Sequence, residues 1–334
     1  MRSGRRRTVA TILPALTLVA CSYSPASQPG VPGPSARVSV SGARPALPQD
    51  YPAPSSAPAC DPRESLSPLS PLPTPGQMPA GSTMEKILRR GYLIVGVDQN
   101  TRYFAELDTR SGRIKGFDID IADRLATAIF GGAGPAGEHI RYKVITQAQR
   151  PEVIRDRVVD VVIDTMTITC DRKVVMAFGS DYYTDGQRVM IRDDTDGAGV
   201  TSLADLRGKR VCTVRLTTSI AYLRDDPAHV LPYAADNWTD CLVALQQGEV
   251  DAVSTTSALL KGLAAQDEDM RVVGPVFTDE PHGMAFPLAD KDFVRFANAL
   301  LEQLKQNGEW QRLYDTWLKE PLGAQSPPRA IYSG

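Results

Sequence analysis

Histidine is scarce in this chain of 334 residues, and its few histidines and cysteines form no pattern that supports catalysis. The three histidines, His139, His229 and His282, are scattered, and none adjoins a serine or cysteine in a recognisable catalytic motif. No two cysteines or histidines lie at the spacing typical of metal ligands. We therefore expect no metal site, no cofactor and no enzyme activity.

A basic cluster is absent from the body of the chain. Residues 1–20 contain four of the 37 basic side chains and none of the 39 acidic ones, so the remainder is mildly acidic. Nucleic-acid-binding proteins usually carry a basic patch that faces the phosphates. The charge distribution therefore excludes nucleic acid as an expected partner.

The apolar run near the N-terminus, Val9–Val19, is too short to span a bilayer as a permanent helix. Four arginines precede it, which is typical of an export signal over residues 1–20. The signal ends in Leu-Val-Ala-Cys and resembles a lipobox, in which the cysteine becomes lipidated and begins the mature protein. We predict lipidation of Cys21 and an exported protein anchored to the outer face of the cytoplasmic membrane. An ordinary signal peptide with a chance cysteine is the alternative.

Proline is concentrated in residues 22–80, which hold 15 of the 26 prolines and few large apolar residues. Such a segment cannot bury enough surface to offset the entropy cost of ordering it. We predict an extended tether over residues 21–82, in which only the Cys60 region is a candidate for order. The globular body then begins near Thr83, and residues 321–334 are predicted to form a loose tail.

Apolar strands and amphipathic helices alternate from Tyr92 to Ile163, which predicts a doubly wound α/β lobe. A second β/α series begins after Asp193, and the chain then returns to the first lobe. The predicted fold class is α/β, with two doubly wound lobes joined by a two-strand hinge. The first lobe comprises residues 83–190 and 278–320, and the second comprises 191–277. Closure of the lobes around a ligand is the expected motion.

A threonine-rich turn is the most informative local feature. A buried strand (Val161–Ile163) leads into Thr165, Thr167 and Thr169, and Arg172 follows at the start of a short helix. Backbone N–H groups, hydroxyls and a guanidinium then surround one point, which suits a small carboxylate. The planar guanidinium of arginine can grip both carboxylate oxygens.

Four cysteines remain after Cys21, an even number that suggests two disulfides in an oxidising compartment. Cys212 lies on a predicted strand and Cys241 starts a helix in the same stretch, so we predict this pair. Cys60 then pairs with Cys170 and would clip the N-terminal extension beside the threonine-rich turn. Free thiols are the alternative.

Four motifs in combination resemble polar amino acid-binding proteins, the soluble receptors of bacterial ABC importers. They are Gly-Phe-Asp-Ile-Asp at 116–120, Thr-Met-Thr-Ile-Thr-x-x-Arg at 165–172, Ser-Leu-Ala-Asp-Leu-Arg-Gly-Lys at 202–209 and Gly-Glu-Val-Asp-Ala at 248–252. The resemblance covers roughly residues 84–318 and is closest to members that bind acidic amino acids or their amides. It implies the type II periplasmic-binding-protein fold, a monomer, and delivery of Glu, Asp, Gln or Asn to a membrane permease. A subunit that reports amino acid supply to a membrane sensor is the alternative, and an enzyme on the same scaffold is a remote one.

The resemblance implies a role for each of five residues around the threonine-rich turn and the second lobe. Arg172 matches the ligand of the α-carboxylate, and Thr167 its hydroxyl and N–H partner. The carbonyl of Thr165 would accept from the α-ammonium. Thr217 and Thr218 would donate to the same carboxylate after closure, a role that is compatible with helix N-capping.

Further residues are implied for the ligand side chain. Arg150 matches the position at which relatives that bind Glu or Asp hold the side-chain carboxylate, and a solvated arginine is the alternative. Asp98, at the cleft edge, would accept from a side-chain amide, face the ammonium or pair with Arg150. Tyr103 or Phe104 would cover the aliphatic part of the ligand.

The sequence departs from the family pattern after the predicted strand Val250–Ser254. The family usually has an aspartate here that pairs with the α-ammonium, whereas this chain has Thr255, Thr256 and Ser257. A desolvated ammonium without a carboxylate is costly. Either another acid substitutes, for which we predict Asp98, or the affinity is modest. Thr256 is retained as a predicted ligand contact.

Overall fold

The computed structural model describes residues 42–53, 57–132, 138–194 and 199–333. The predicted export signal, Cys21 and the tether up to residue 41 lie outside these ranges. Within them, no helix is both long enough and apolar enough to cross a membrane.

A five-stranded sheet forms the centre of the first lobe. In spatial order its strands are β7 (Ile140–Val144), β3 (Leu93–Val97), β8 (Val161–Val162), β15 (Glu280–Phe286) and β9 (Ala177–Asp185). Strand β3 runs parallel to β7 and β8, whereas β15 is antiparallel to β8 and β9. Most of β3 is buried, which explains its continuous apolar sequence.

Helices pack around this sheet and a small antiparallel sheet of three strands lies beside it. The helices are α1 (Thr83–Arg90), α2 (Phe117–Phe130), α3 (Arg150–Arg155), α4 (Cys170–Val175), α8 (Lys291–Gln306), α9 (Glu309–Trp317) and α10 (Lys319–Leu322). The small sheet comprises β4 (Asn100–Thr101), β5 (Ala105–Asp108) and β6 (Arg113–Lys115). Helix α2 is amphipathic, and the four apolar residues that recur at every fourth position are all buried: Phe117, Ile121, Leu125 and Ile129.

A six-stranded sheet forms the centre of the second lobe. Its strands in spatial order are β1 (Arg44–Pro45), β12 (Leu231–Ala235), β11 (Arg210–Val214), β13 (Ala252–Thr256), β10 (Gln187–Arg192) and β14 (Met270–Val273). Helices α5 (Thr218–Asp225), α6 (Trp238–Gln246) and α7 (Ser257–Ala264) accompany them. The predicted disulfide Cys212–Cys241 is present and links β11 to α6.

Two chain segments cross between the sheets, one from β9 to β10 and the other from β14 to β15. They lie so close that a Cβ atom at Gly186 would be 2.2 Å from the carbonyl oxygen of Thr278, so only glycine fits there. The backbone N–H of Gln187 donates to Thr278 Oγ1 at 2.7 Å. These contacts hold the two crossings side by side, as a hinge requires.

The two ends of the described chain differ from the sequence prediction. Residues 44–45, within the predicted tether, form strand β1, and the Arg44 guanidinium pairs with Asp50 at 2.5 Å. Ile331–Ser333 forms strand β16, which pairs in parallel with β2 (Glu64–Leu66), so this tail is not loose. The predicted disulfide Cys60–Cys170 is present beside these strands. Short backbone pairings and a covalent link thus order segments whose composition alone indicates disorder.

Candidate ligand-binding site

The threonine-rich turn follows strand β8 and is held in place by the buried side chain of Asp118. Thr165 has a left-handed backbone conformation, with φ of 43°. Its N–H donates to Asp118 Oδ2 at 3.0 Å, and the hydroxyl of Tyr182 donates to Asp118 Oδ1 at 2.8 Å. Burial raises the pKa of Asp118 to about 7, although both hydrogen bonds oppose the shift. Asp118 therefore positions the turn from the interior.

Arg172 lies at the third position of helix α4, which begins after Thr169. The Thr169 hydroxyl caps the helix by accepting from the N–H of Arg172 at 3.2 Å. The Arg172 side chain folds back and donates through Nη1 to the carbonyl of Thr167 at 2.6 Å. Burial and the nearby Arg150 lower its pKa to about 9, so the guanidinium remains charged at neutral pH.

The start of helix α5 brings hydroxyls from the second lobe. Thr217 caps this helix by accepting from the N–H of Ile220 at 3.3 Å, and it donates to the carbonyl of Val214 at 2.6 Å. The next residue, Thr218, directs its hydroxyl across the cleft, where Oγ1 lies 3.4 Å from Thr167 Oγ1. The lobes therefore meet through a pair of threonine hydroxyls.

Glu280 stands between these hydroxyls at the start of strand β15. Its Oε2 accepts from Thr167 Oγ1 at 2.6 Å and from Thr218 Oγ1 at 3.0 Å. Its Oε1 accepts from Thr278 Oγ1 at 3.0 Å. The residue is 4% exposed, and one carboxylate thus binds hydroxyls from both lobes.

Arg150 opens helix α3 and is buried, so the alternative of a solvated arginine is wrong. Its Nε donates to the carbonyl of Gln147 and its Nη1 to the carbonyl of Asp164, both at 3.1 Å. The Asp164 carboxylate lies 3.7 Å from Nη1. Burial lowers the pKa of Arg150 and raises that of Asp164 well above its usual range. These contacts fix the guanidinium at one wall of the site.

The two lobes enclose a small polar cavity with a free volume of about 20 Å³, room for about one water molecule. Side chains from both lobes line it: Gln147, Arg150, Thr165, Thr167, Arg172, Thr217, Thr218, Ser219, Trp238, Thr255, Thr256, Leu259 and Glu280. Seven of the ten predicted ligand contacts are in this set. Within the described residues, three buried atoms of the lining have no hydrogen-bond partner: Gln147 Oε1, Trp238 Nε1 and Thr256 Oγ1. Buried polar atoms are normally paired, so these atoms are suited to a polar ligand.

The structure does not bring the other three predicted contacts to the cavity. Phe104 is fully buried in the first-lobe core, with its ring 5.3 Å from that of Tyr183, so the hydrophobic effect removes it from the cleft. Tyr103 lies beneath the guanidinium of Arg102 at 5.5 Å. Asp98 does not line the cavity but lies behind Gln147, whose Nε2 donates to it at 3.0 Å.

Sequence reasoning missed the other six lining residues, which are Gln147, Ser219, Trp238, Thr255, Leu259 and Glu280. Trp238 is the first residue of α6 and Leu259 lies in α7, and together they supply the apolar wall that was assigned to Tyr103 or Phe104. Glu280 had a usable signal, because it is an acid at the start of the second crossing strand. Among the described residues, no group of three or more His, Cys, Asp or Glu side chains could hold a metal ion.

Comparison with known families accounts for this architecture. The bacterial extracellular solute-binding proteins, family 3, match residues 93–320. The chain belongs to this family. The site described above is thus the inter-lobe cleft of an extracellular solute-binding protein, and the resemblance found in the sequence is confirmed.

Curated relatives of this solute-binding protein carry names of amino acid receptors. The ABC transporter glutamine-binding protein GlnH of Bacillus subtilis is 30% identical over 71% of this chain and 85% of its own length. The glutamate-binding protein GluB of Corynebacterium glutamicum is 32% identical over 64% of this chain and 72% of its own.

Solved structures confirm the predicted type II fold of this solute-binding protein. A mutant of ArgBP from T. maritima superposes with a TM-score of 0.64 at 30% identity, covering 71% of this chain and 99% of that one. The cysteine-binding protein of Campylobacter jejuni superposes with a TM-score of 0.67 over 73% of this chain and 96% of its own, at 24% identity, and supports the fold alone.

Proposed function

We propose that this solute-binding protein captures a small polar amino acid, Glu or Asp or their amides, between its lobes and presents it to a membrane ABC permease. The observation that carries the proposal is the meeting of Arg172 with the hydroxyls of Thr167 and Thr218 at one enclosed cavity. A guanidinium and two hydroxyls are donors that suit an α-carboxylate. The names of the glutamine- and glutamate-binding relatives support the same ligand class.

Entry of an amino acid requires the lobes to move apart. The free volume of about 20 Å³ is far smaller than an amino acid, so the cavity as it stands admits none. The two crossings at Gly186 and near Thr278 are the points about which the lobes can turn. A groove of about 510 Å³ shares four cavity residues, Gln147, Arg150, Arg172 and Thr218, and provides the approach. We infer binding followed by hinge closure.

Three other lining residues, Arg150, Gln147 and Trp238, would set the choice among the four ligands. Arg150 presents a guanidinium that suits a side-chain carboxylate. Gln147 Oε1 is an acceptor and Trp238 Nε1 a donor, and a side-chain amide would satisfy both. A preference for acidic ligands would therefore come from Arg150, and a preference for amides from Gln147 Oε1 and Trp238 Nε1. Lipid anchoring through Cys21 would hold the receptor near its permease.

Calorimetric titration with the twenty amino acids tests the proposal. The chain without residues 1–20, carrying Cys21→Ala to prevent lipidation, is stripped of bound ligand by unfolding and refolding with its disulfides intact. Tight binding of one or more of Glu, Asp, Gln and Asn is the expected result. Binding of none of the twenty would overturn the proposal.

A further inference from the structure

The α-ammonium of an amino acid needs an anionic partner once the cleft closes around it. Burial of an unpaired charge costs several kcal/mol, so receptors of zwitterions must supply an acid near the base that binds the carboxylate. Among the described residues that line the cavity, Glu280 is the only acid. The inference that follows rests on the proposed function and concerns which residue of this chain takes the ammonium.

Three other acids near the cleft lie outside the cavity lining. Asp98, the substitute predicted from the sequence, accepts four hydrogen bonds from donors of its own lobe: Asn100 N at 2.9 Å, Asn100 Nδ2 at 3.0 Å, Thr101 Oγ1 at 2.9 Å and Gln147 Nε2 at 3.0 Å. Asp185 accepts from the backbone N–H groups of Gly186 at 2.7 Å and Ala258 at 2.8 Å. Asp164 lies behind Arg150. None of the three lines the cavity.

We propose that Glu280 is the carboxylate that binds the α-ammonium, in place of an acid from the second lobe. Thr167 ties it to the predicted carboxylate site, because its hydroxyl contacts Glu280 at 2.6 Å and its carbonyl contacts Arg172 at 2.6 Å. Glu280, an acid, and Arg172, a base, therefore both contact Thr167. The α-carboxylate and α-ammonium of an amino acid are separated by a single carbon, so they fit such a pair.

Ligand entry then becomes an exchange of hydrogen bonds. The hydroxyls of Thr167 and Thr218 now donate to Glu280 Oε2, and a hydroxyl rotates freely to another acceptor. They turn to the ligand carboxylate, and the ammonium, with its three donors, replaces them on Glu280. Thr278 keeps its hydrogen bond to Oε1 and holds the carboxylate in place from the hinge. No charged or polar group loses a partner.

This role predicts selection against acids that lack the amino group. A deaminated analogue would leave Glu280 facing the cleft without a cation and would add a like charge near it. The result would differ if Glu280 only held the lobes together through its hydrogen bonds to the two threonines. Its carboxylate would then weaken the binding of every ligand by the same factor, whether or not the ligand has an amino group.

The test compares Glu280→Gln with the wild type in calorimetric and competition titrations. The probes are L-glutamate and L-glutamine and their deaminated analogues glutarate and glutaramate. The variant is expected to bind the amino acids at least about tenfold more weakly, as for the loss of a charge-assisted hydrogen bond, and to bind the analogues no more weakly than the wild type does. Glu280→Asp, which keeps the charge, is expected to lose less.

Glu268→Gln, at an exposed acid that does not line the cavity, is the matched control and should bind as the wild type does. Thermal unfolding verifies that each variant is folded. If Glu280→Gln changed the affinity for the amino acids and for their analogues by the same factor, the proposed role of Glu280 would be overturned. Glu280 would then be only a contact between the lobes. A wild type that binds no amino acid would instead overturn the proposed function.

Discussion

The backbone N–H of Thr165 donates to Asp118 Oδ2 at 3.0 Å, although the two residues are 47 positions apart. A carboxylate in the first turn of α2 thereby holds the turn that brings Thr165 and Thr167 to the cavity. The sequence indicates only a charged helix start for Asp118. Its structural role depends on the tertiary fold, which brings the start of α2 to the turn after β8, and no local pattern contains this contact.

Asp118 makes the stability of the protein depend on pH. Its pKa rises from 3.8 to about 7, so between these values the folded state keeps a proton that the unfolded state has lost. The stabilisation is complete below about pH 4 and is lost as the pH rises to about 7. Over this window the wild type should lose roughly 4 kcal/mol more than Asp118→Asn, whose side chain does not titrate.

Urea unfolding at several pH values between these limits measures the difference. Asn retains an oxygen that accepts from Thr165, so the variant should fold. Asp185, whose pKa burial raises to about 6, contributes in both proteins and cancels in the comparison. Parallel stability profiles for the two proteins would contradict the assignment to Asp118.

The two-lobe fold is predictable because alternating strands and amphipathic helices are a local pattern. The disulfide Cys60–Cys170 joins residues 110 positions apart and is predictable only from the even number of cysteines. Strands β9 and β10 are not predicted, although they carry the first crossing. Their sequence lacks a strict alternation, and β9 is stabilised by its pairing with the distant β15. Long-range pairing of this kind leaves little local signal.

The site is predictable where a side chain follows a recognisable turn, as Thr167, Arg172 and Thr218 do. It is not predictable where tertiary packing decides which face of an element meets the cleft. Phe104 has the right location in sequence to cover a ligand, yet it is buried among aromatic rings. Trp238 and Glu280 arrive from elements that converge only after folding.

Arg150 should distinguish acidic ligands from amides. Its removal alone leaves Asp164 buried without a cation, which would cost about 3–5 kcal/mol of stability and obscure the result. The double variant Arg150→Gln, Asp164→Asn avoids this because it removes both charges of the buried pair together. Calorimetry should show a loss of at least about tenfold for glutamate and a smaller one for glutamine. Equal losses of affinity for glutamate and glutamine would show that Arg150 does not recognise the ligand side chain.

The disulfide Cys212–Cys241 should stabilise the second lobe. It closes a loop of 29 residues, and both cysteines are fully buried. The double variant Cys212→Ala, Cys241→Ala should lower the free energy of unfolding by about 3–4 kcal/mol, mainly because its unfolded chain is less constrained. Denaturant unfolding under oxidising conditions provides the measurement. A change below about 1 kcal/mol would count against this role.

The most direct measurement of the central claim is calorimetric titration of Arg172→Ala with whichever amino acid the wild type binds most tightly. Arg155→Ala, at a largely exposed arginine in the same lobe, is the matched control. Arg172 is proposed to hold the α-carboxylate common to all amino acids, and a charge-assisted hydrogen bond contributes about 1.5–3 kcal/mol. The account predicts a loss of at least about tenfold for Arg172→Ala and unchanged binding for the control. Affinity near that of the wild type in Arg172→Ala would contradict it.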